Sequence, residues 1–129
     1  MSVMRLHRRL RRERSDSGLS LTNLSILGRL DQEGPATASA LADAERIQPQ
    51  SVTRVVADLE RRGLIDRSPD PTDRRRVLLQ LSDHGQALLA EDRRRRDEWL
   101  AVAMAATLTP AEQEFLLVAA QLLDRLAEA

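Results

Sequence analysis

One stretch of the chain, Thr37 to Leu81, leaves few choices about what it can fold into. Val52, Val55, Val56 and Leu59 fall at i, i+3, i+4 and i+7, which sets four apolar side chains on one face of a helix. Pro49 stands where the first helical residue belongs; its fixed φ suits a helix and its missing N–H is not needed there. Gly63 suits the stop. Upstream, Thr37 is placed to cap a shorter helix reaching about Ala44, with Leu41 as its apolar anchor and Glu45-Arg46-Ile47-Gln48 as the turn between the two helices. Downstream the period changes. Leu64–Ser68 and Val77–Leu81 are β-prone runs, and in the second Val77, Leu79 and Leu81 alternate to one face. Between them, Pro69-Asp70-Pro71-Thr72-Asp73-Arg74-Arg75-Arg76 is a polar turn with two prolines, which predicts a hairpin with an extended, basic tip.

The flanks are helical. Val3, Leu6 and Leu10 form a narrow stripe on an Arg-rich first helix, and Ser15-Asp16-Ser17-Gly18 breaks it. Ser20 is placed to cap a second helix carrying Leu24, Leu27 and Leu30, ended by Gly34-Pro35. Ser82 opens a fifth helix running to about Ala106, whose segment Glu91–Glu98 sets acids against Arg93–Arg96 at i, i+4, a self-paired solvated face. Thr109-Pro110-Ala111-Glu112 is a capping box for a last helix with Phe115, Ala119, Leu122 and Leu126 on one side and Leu116 and Leu123 alongside. The fold class is mainly α with a small β-hairpin wing: a winged helix-turn-helix with further helices on both flanks, in one domain of 129 residues.

Composition removes several function classes. Cysteine is absent, so disulfides, thiolate metal sites and thiol redox sensing are excluded. His7 and His84 have no metal-ligand spacing and are read as a surface residue and a helix N-terminal residue. Aromatics are 2%, too few for base-stacking platforms on single strands. No apolar run approaches the roughly 18–20 residues that span a bilayer, and no signal-peptide stretch is visible, so a cytoplasmic protein with no membrane partner is expected. No Ser/His/Asp set, paired-carboxylate cleft or glycine-rich phosphate loop is present, so neither catalysis nor a cofactor is expected. The net charge is zero but unevenly spread: +5 over residues 1–14, −3 over 15–44, +2 over 45–76 and −4 over 77–129. All 20 basic residues are arginine, which suits planar, bidentate contacts.

In a helix-turn-helix the second helix enters the major groove and the first crosses the backbone. With Val52, Val55, Val56 and Leu59 inward, Gln50, Arg54, Ala57 and Arg61 point the opposite way, flanked by Ser51 and Thr53. Gln can bond adenine through its amide, Arg can bond guanine N7 and O6, and Ser or Thr can reach phosphates or bases. No acid stands in the first turn to repel a phosphate. Three consecutive arginines at the hairpin tip suit the negative potential of a minor groove, and Asp73 lies close enough in sequence to brace the Arg75 guanidinium.

These segments carry a resemblance. Thr37-Ala38-Ser39-Ala40-Leu41-Ala42, the run from Gln50 to Ile65, the run from Arg67 to Arg76, and Val77-Leu78-Leu79-Gln80-Leu81-Ser82 with Gly85 resemble the core of the MarR (multiple antibiotic resistance regulator) family. The resemblance implies a sequence-specific regulator of transcription that binds double-stranded DNA, a homodimeric repressor on a pseudo-palindromic operator. Its first, fifth and sixth helices interlock, its recognition helices lie in successive major grooves, and its wings lie in the flanking minor grooves. It implies DNA contacts from Gln50, Ser51, Thr53 and Arg54 on the recognition helix, Ser39 on the backbone, and Asp73, Arg74 and Arg75 in the wing. Arg76 stands where many members have a small residue. Residues 20–82 are then the DNA-binding lobe, and 1–15 with 83–129 the dimerisation region. The family's peroxide-sensing branch needs a cysteine this chain lacks. Other members take small aromatic or phenolic effectors between the dimer helices and the DNA-binding lobe; Arg8, Arg12 and Trp99 could approach such a cleft, but read first as solvated arginines and a core or interface tryptophan. The Arg8, Arg9, Arg11, Arg12 and Arg14 cluster has only Glu13 nearby and is a solvated face open to DNA or an acidic partner. The competing reading is a winged-helix protein–protein interaction module, in which wing arginines would tolerate replacement by alanine.

Overall fold

The core forms where the predicted apolar faces meet: Ile26, Leu27 and Leu30 from one helix, Leu41 and Ala42 from the next, Val52, Val56 and Leu59 from the third, and Leu64, Ile65 and Leu79 from the hairpin. The computed structural model describes residues 1–13 and 17–129. Its elements are α1 (Ser2–Arg12), α2 (Leu21–Glu33), α3 (Ala38–Glu45), α4 (Pro49–Arg61), β1 (Ile65–Pro69), β2 (Val77–Leu81), α5 (Asp83–Thr107) and α6 (Pro110–Ala127). Every helix expected from periodicity is present. Arg14, Ser15 and Asp16, part of the expected basic cluster and of the first break, lie outside the described residues.

The caps act as their residue types dictate. Ser20 accepts the Asn23 N–H at 3.2 Å, Thr37 the Ala40 N–H at 3.1 Å, and Ser82 the Gly85 N–H at 3.0 Å. Thr109 and Glu112 close the capping box in both directions at the start of α6. Gly63, with φ of 70°, takes the left-handed conformation just beyond α4 and lets the chain turn into the hairpin.

β1 and β2 pair antiparallel from Ile65↔Leu81 to Pro69↔Val77, so the first strand starts one residue later than its composition suggests. A third segment joins without forming a strand: Ala36 donates to the Leu79 carbonyl at 3.0 Å, and Leu79 donates back at 2.8 Å. No sequence pattern marks that bridge. Alternation along β2 is only partly used, since Leu79 is buried and Leu81 half-buried while Val77 at the wing end is exposed.

The chain divides into two compact units, Ser15–Asp92 and Met1–Arg14 with Arg93–Ala129. The first holds the core described above. Leu88 and Leu89, in the opening turns of α5, pack against that core, so the lobe extends past Ser82 to take in this part of α5. In the other unit, neither α1 nor α6 buries a residue. No helix is long and apolar enough to cross a membrane among the described residues.

Candidate nucleic-acid interface

The α4 helix is oriented by what it buries. Val52, Val56 and Leu59 are fully inward and Val55 half so, which turns Gln50, Ser51, Thr53, Arg54 and Ala57 to solvent. Its N-terminus has Pro49 in the first turn, no acid, and no side chain capping it. The positive end of the helix dipole therefore faces outward, although the Ser51 and Val52 N–H groups already donate to the Gln48 carbonyl at 2.9 and 3.2 Å. Thr53 is engaged within its own helix. Its hydroxyl donates to the Pro49 carbonyl at 3.0 Å, so the side chain offers an acceptor lone pair and a methyl group rather than a donor.

The far end of α4 is braced on two sides. Asn23, nearly buried on α2, donates to the Asp58 carboxylate at 3.1 Å, and the Asn23 carbonyl oxygen accepts from Ser20 at 2.6 Å. Asp58 also accepts from Arg61 and Arg62, at 3.1 and 3.0 Å. Arg61, outward on the helical wheel, is thus turned back onto its own helix. On the other side Glu60 pairs with Arg67 of β1, which joins the helix to the wing; that hydrogen bond raises the Arg67 pKa. None of these partners across elements is visible in sequence spacing.

The wing tip is built from two carboxylate turns. Asp70 accepts from the Thr72 N–H at 2.9 Å and the Thr72 hydroxyl at 2.8 Å. Asp73 accepts from the Arg75 backbone N–H at 3.0 Å, and its other oxygen lies 3.8 Å from the Arg76 side chain. Asp73 therefore braces the backbone of Arg75 and the side chain of Arg76, where sequence spacing suggests the Arg75 guanidinium. The carboxylate is used up by the nearest N–H of its own turn, which is closer than any long side chain. Arg74 and Arg75 are left exposed with no ion pair to a described residue.

The Asp70 carboxyl is held below the usual carboxylate range, first by the Thr72 N–H and then by the Thr72 hydroxyl. Because its folded pKa is depressed, this bracing is fully present above the unfolded value of about 3.9 and is lost as pH falls through the lower folded value. Carboxyl-carbon NMR should show Asp70 titrating below the usual carboxylate range in wild type, and part of the way back in Thr72→Ala, which removes the hydroxyl bond and keeps the stronger N–H bond. An ordinary titration in the wild type would mean the turn is not held this way.

Ser39 sits at the start of α3 in an open groove of about 490 Å³ that Thr37, Asp43 and Arg76 also line. The groove brings the backbone-contact candidate next to the wing, and it gives Arg76 a place that sequence alone does not assign. In the other unit Arg12 and Trp99 share an open groove of about 630 Å³ with Arg94, Arg95 and Glu98. Arg8 does not line it. The Arg9 guanidinium lies 4.7 Å from the Trp99 ring centroid, so one face of the indole is already covered. No cluster of His, Asp or Glu able to hold a metal occurs among the described residues.

Comparison with known proteins agrees with this geometry. A model described as MarR family matches residues 19–77. An HTH-type transcriptional regulator of Mycobacterium bovis, Mb0904, is 44% identical over 128 residues, spanning 99% of this chain and 89% of that protein. The crystal structure of a transcriptional regulator protein from Pseudomonas aeruginosa PA01 is similar at a TM-score of 0.87 and 40% identity, covering 99% of this chain and 89% of that one. The F27L mutant of S. aureus MepR, solved bound to an oligodeoxyribonucleotide, shares the fold at a TM-score of 0.73 and 23% identity, with 99% and 92% covered. This chain belongs to the MarR family and is a DNA-binding, helix-turn-helix regulator of transcription.

Proposed function

We propose that this regulator is a homodimeric repressor of a pseudo-palindromic operator. Each α4 lies in a major groove, with Gln50, Ser51, Thr53 and Arg54 at bases and phosphates. Ser39 lies on the backbone, and Arg74 and Arg75 enter the flanking minor groove on a turn shaped by Asp73. The observation that carries this reading is the exposure, without a carboxylate partner, of Arg54 on the outward face of α4 and of Arg74 and Arg75 at the wing tip. A guanidinium kept free of local acids is available to phosphate or guanine. The second copy is supported by α1 and α6, which leave Val3, Met4, Phe115, Leu117, Leu122 and Leu126 exposed in the single chain. The apolar face of α6 and the narrower stripe on α1 are favourable in water only when covered.

The test is anisotropy binding to the chain's own upstream duplex and to a scrambled duplex. Wild type is expected to prefer the former by about 10³ or more. A good base contact is worth roughly 1–3 kcal/mol, so losing one per half-site in Arg54→Ala should lower the preference about thirtyfold or more. Arg75→Ala should weaken binding and flatten its salt dependence. Equal, weak binding of wild type to both duplexes would sink the repressor reading in favour of a protein-interaction module.

We further propose that a small aromatic or phenolic effector relieves repression. The groove at Arg12 and Trp99 offers such a ligand a guanidinium and the edge of an indole. Adding benzoate to the operator complex should then release DNA, and no release at any concentration would count against an aromatic acid.

A further inference from the structure

The turn between α3 and α4 is closed by a residue in an uncommon conformation. Arg46 has φ 55° and ψ 43°, and no other non-glycine among the described residues has positive φ. This left-handed region suits glycine, which has no Cβ to bring against its own backbone, and after it asparagine, whose short amide bonds locally; arginine has neither advantage. The turn itself explains the backbone shape: the Arg46 N–H reaches the Asp43 carbonyl at 3.3 Å, and the Ile47 N–H reaches the Ala42 carbonyl at 3.1 Å. With Ile47 packed on the core, the Arg46 side chain is left in solvent. Nothing in folding calls for arginine at this position, and glycine would fit with less strain.

A second, independent observation points to what the arginine does. Among described residues 17–92, Arg29, Arg61, Arg62, Arg67 and Arg76 each face a carboxylate. Arg46, Arg54, Arg74 and Arg75 do not. Three of those four are the α4 and wing arginines proposed above to contact DNA. The fourth stands three residues ahead of α4, beside the end of that helix which carries Gln50 and Ser51. The acid next to it in sequence is occupied elsewhere, since Glu45 accepts from Ser25 at 2.9 Å and from Arg29 at 3.0 Å. The lobe thus keeps its acids off the same four guanidinium groups.

We propose that Arg46 is a further DNA-binding residue, a guanidinium on the helix-turn-helix turn that contacts a phosphate beside the major groove entered by α4. The proposal rests on the operator-binding geometry of α4 and the wing, and adds a backbone contact to it. A phosphate contact carries no sequence information, so it strengthens binding to every duplex alike. Function, not stability, then keeps arginine in a conformation that suits glycine.

The full-length chain with Arg46→Gly separates the two roles, because stability and binding should move in opposite directions. Thermal unfolding is expected at the wild-type midpoint or above it. Affinity should fall by roughly 10- to 30-fold on upstream and scrambled duplexes alike, and the slope of log K against log salt should shrink by about 1.8, two phosphates per dimer. Arg46→Lys should retain most of the slope. Wild-type affinity and slope in Arg46→Gly would overturn the proposal, and so would a loss confined to the upstream duplex, which would make Arg46 a base reader. A lower unfolding midpoint with intact binding would overturn it in favour of a structural role. If wild type shows no preference for the upstream duplex, the operator reading fails by itself, and the slope on scrambled DNA still decides Arg46.

Discussion

Gly85→Ala should remove much of the stability of the DNA-binding lobe. Gly85 sits in the first turn of α5, and a Cβ there would lie 2.2 Å from the Leu64 carbonyl oxygen and 2.6 Å from the Leu81 side chain. A leucine side chain can rotate away, but the carbonyl cannot. It is backbone at the junction of α4 and β1, and it accepts the Ser82 N–H at 3.1 Å. The Ser82 hydroxyl fastens the same junction by donating to the Gly63 carbonyl at 2.5 Å. One methyl group therefore pushes the start of α5 off the end of α4 and strains both bonds. Overpacking a close backbone approach, with a hydrogen bond lost, costs about 3 kcal/mol or more. That corresponds to a melting point lower by roughly 10 °C in a domain of this size. Urea unfolding followed by far-UV circular dichroism checks it, and an unchanged midpoint would show that the two segments separate without cost.

If the proposed dimer closes over α6, Phe115→Glu with Leu122→Glu should convert it to monomers and abolish operator binding while leaving the lobe folded. Phe115 and Leu122 are exposed by 76% and 50% on α6, one turn-pair apart on the same face. In a two-fold dimer each substitution acts twice. Four lost apolar anchors at about 1.5–3 kcal/mol each raise the dissociation constant by four or more powers of ten. Sedimentation equilibrium reads the mass directly. A dimer that persists in the double variant would place the interface on a surface other than this face of α6.

The local elements are legible in the sequence because their causes are local. Ser20, Thr37 and Thr109 cap the helices they precede, Pro49 and Gly63 bound α4, and the Val52–Leu59 stripe sets which way that helix faces. A cap reaches three residues and a helical face repeats within two turns, so each can be read in a short window of sequence. The exposed positions of Gln50, Ser51 and Arg54 follow from that stripe without further information, and so does a hairpin with a basic tip.

Choices among distant partners are of another kind. Arg67 finds Glu60 across the helix–wing junction, Arg29 finds Glu45 on the next helix, and Asn23 finds Asp58 across 35 residues. Sequence marks all of these as charged or polar, but which two meet depends on how their elements pack. Ala36 joining the hairpin at Leu79, Asp73 holding the Arg75 backbone rather than its guanidinium, and the close approach at Gly85 arise in the same way. Chain order alone establishes which elements form and which faces they bury, since those depend on short-range sterics and apolar spacing. Packing selects which arginines are neutralised and which stay free, because charge pairing depends on distances between elements that chain order does not contain.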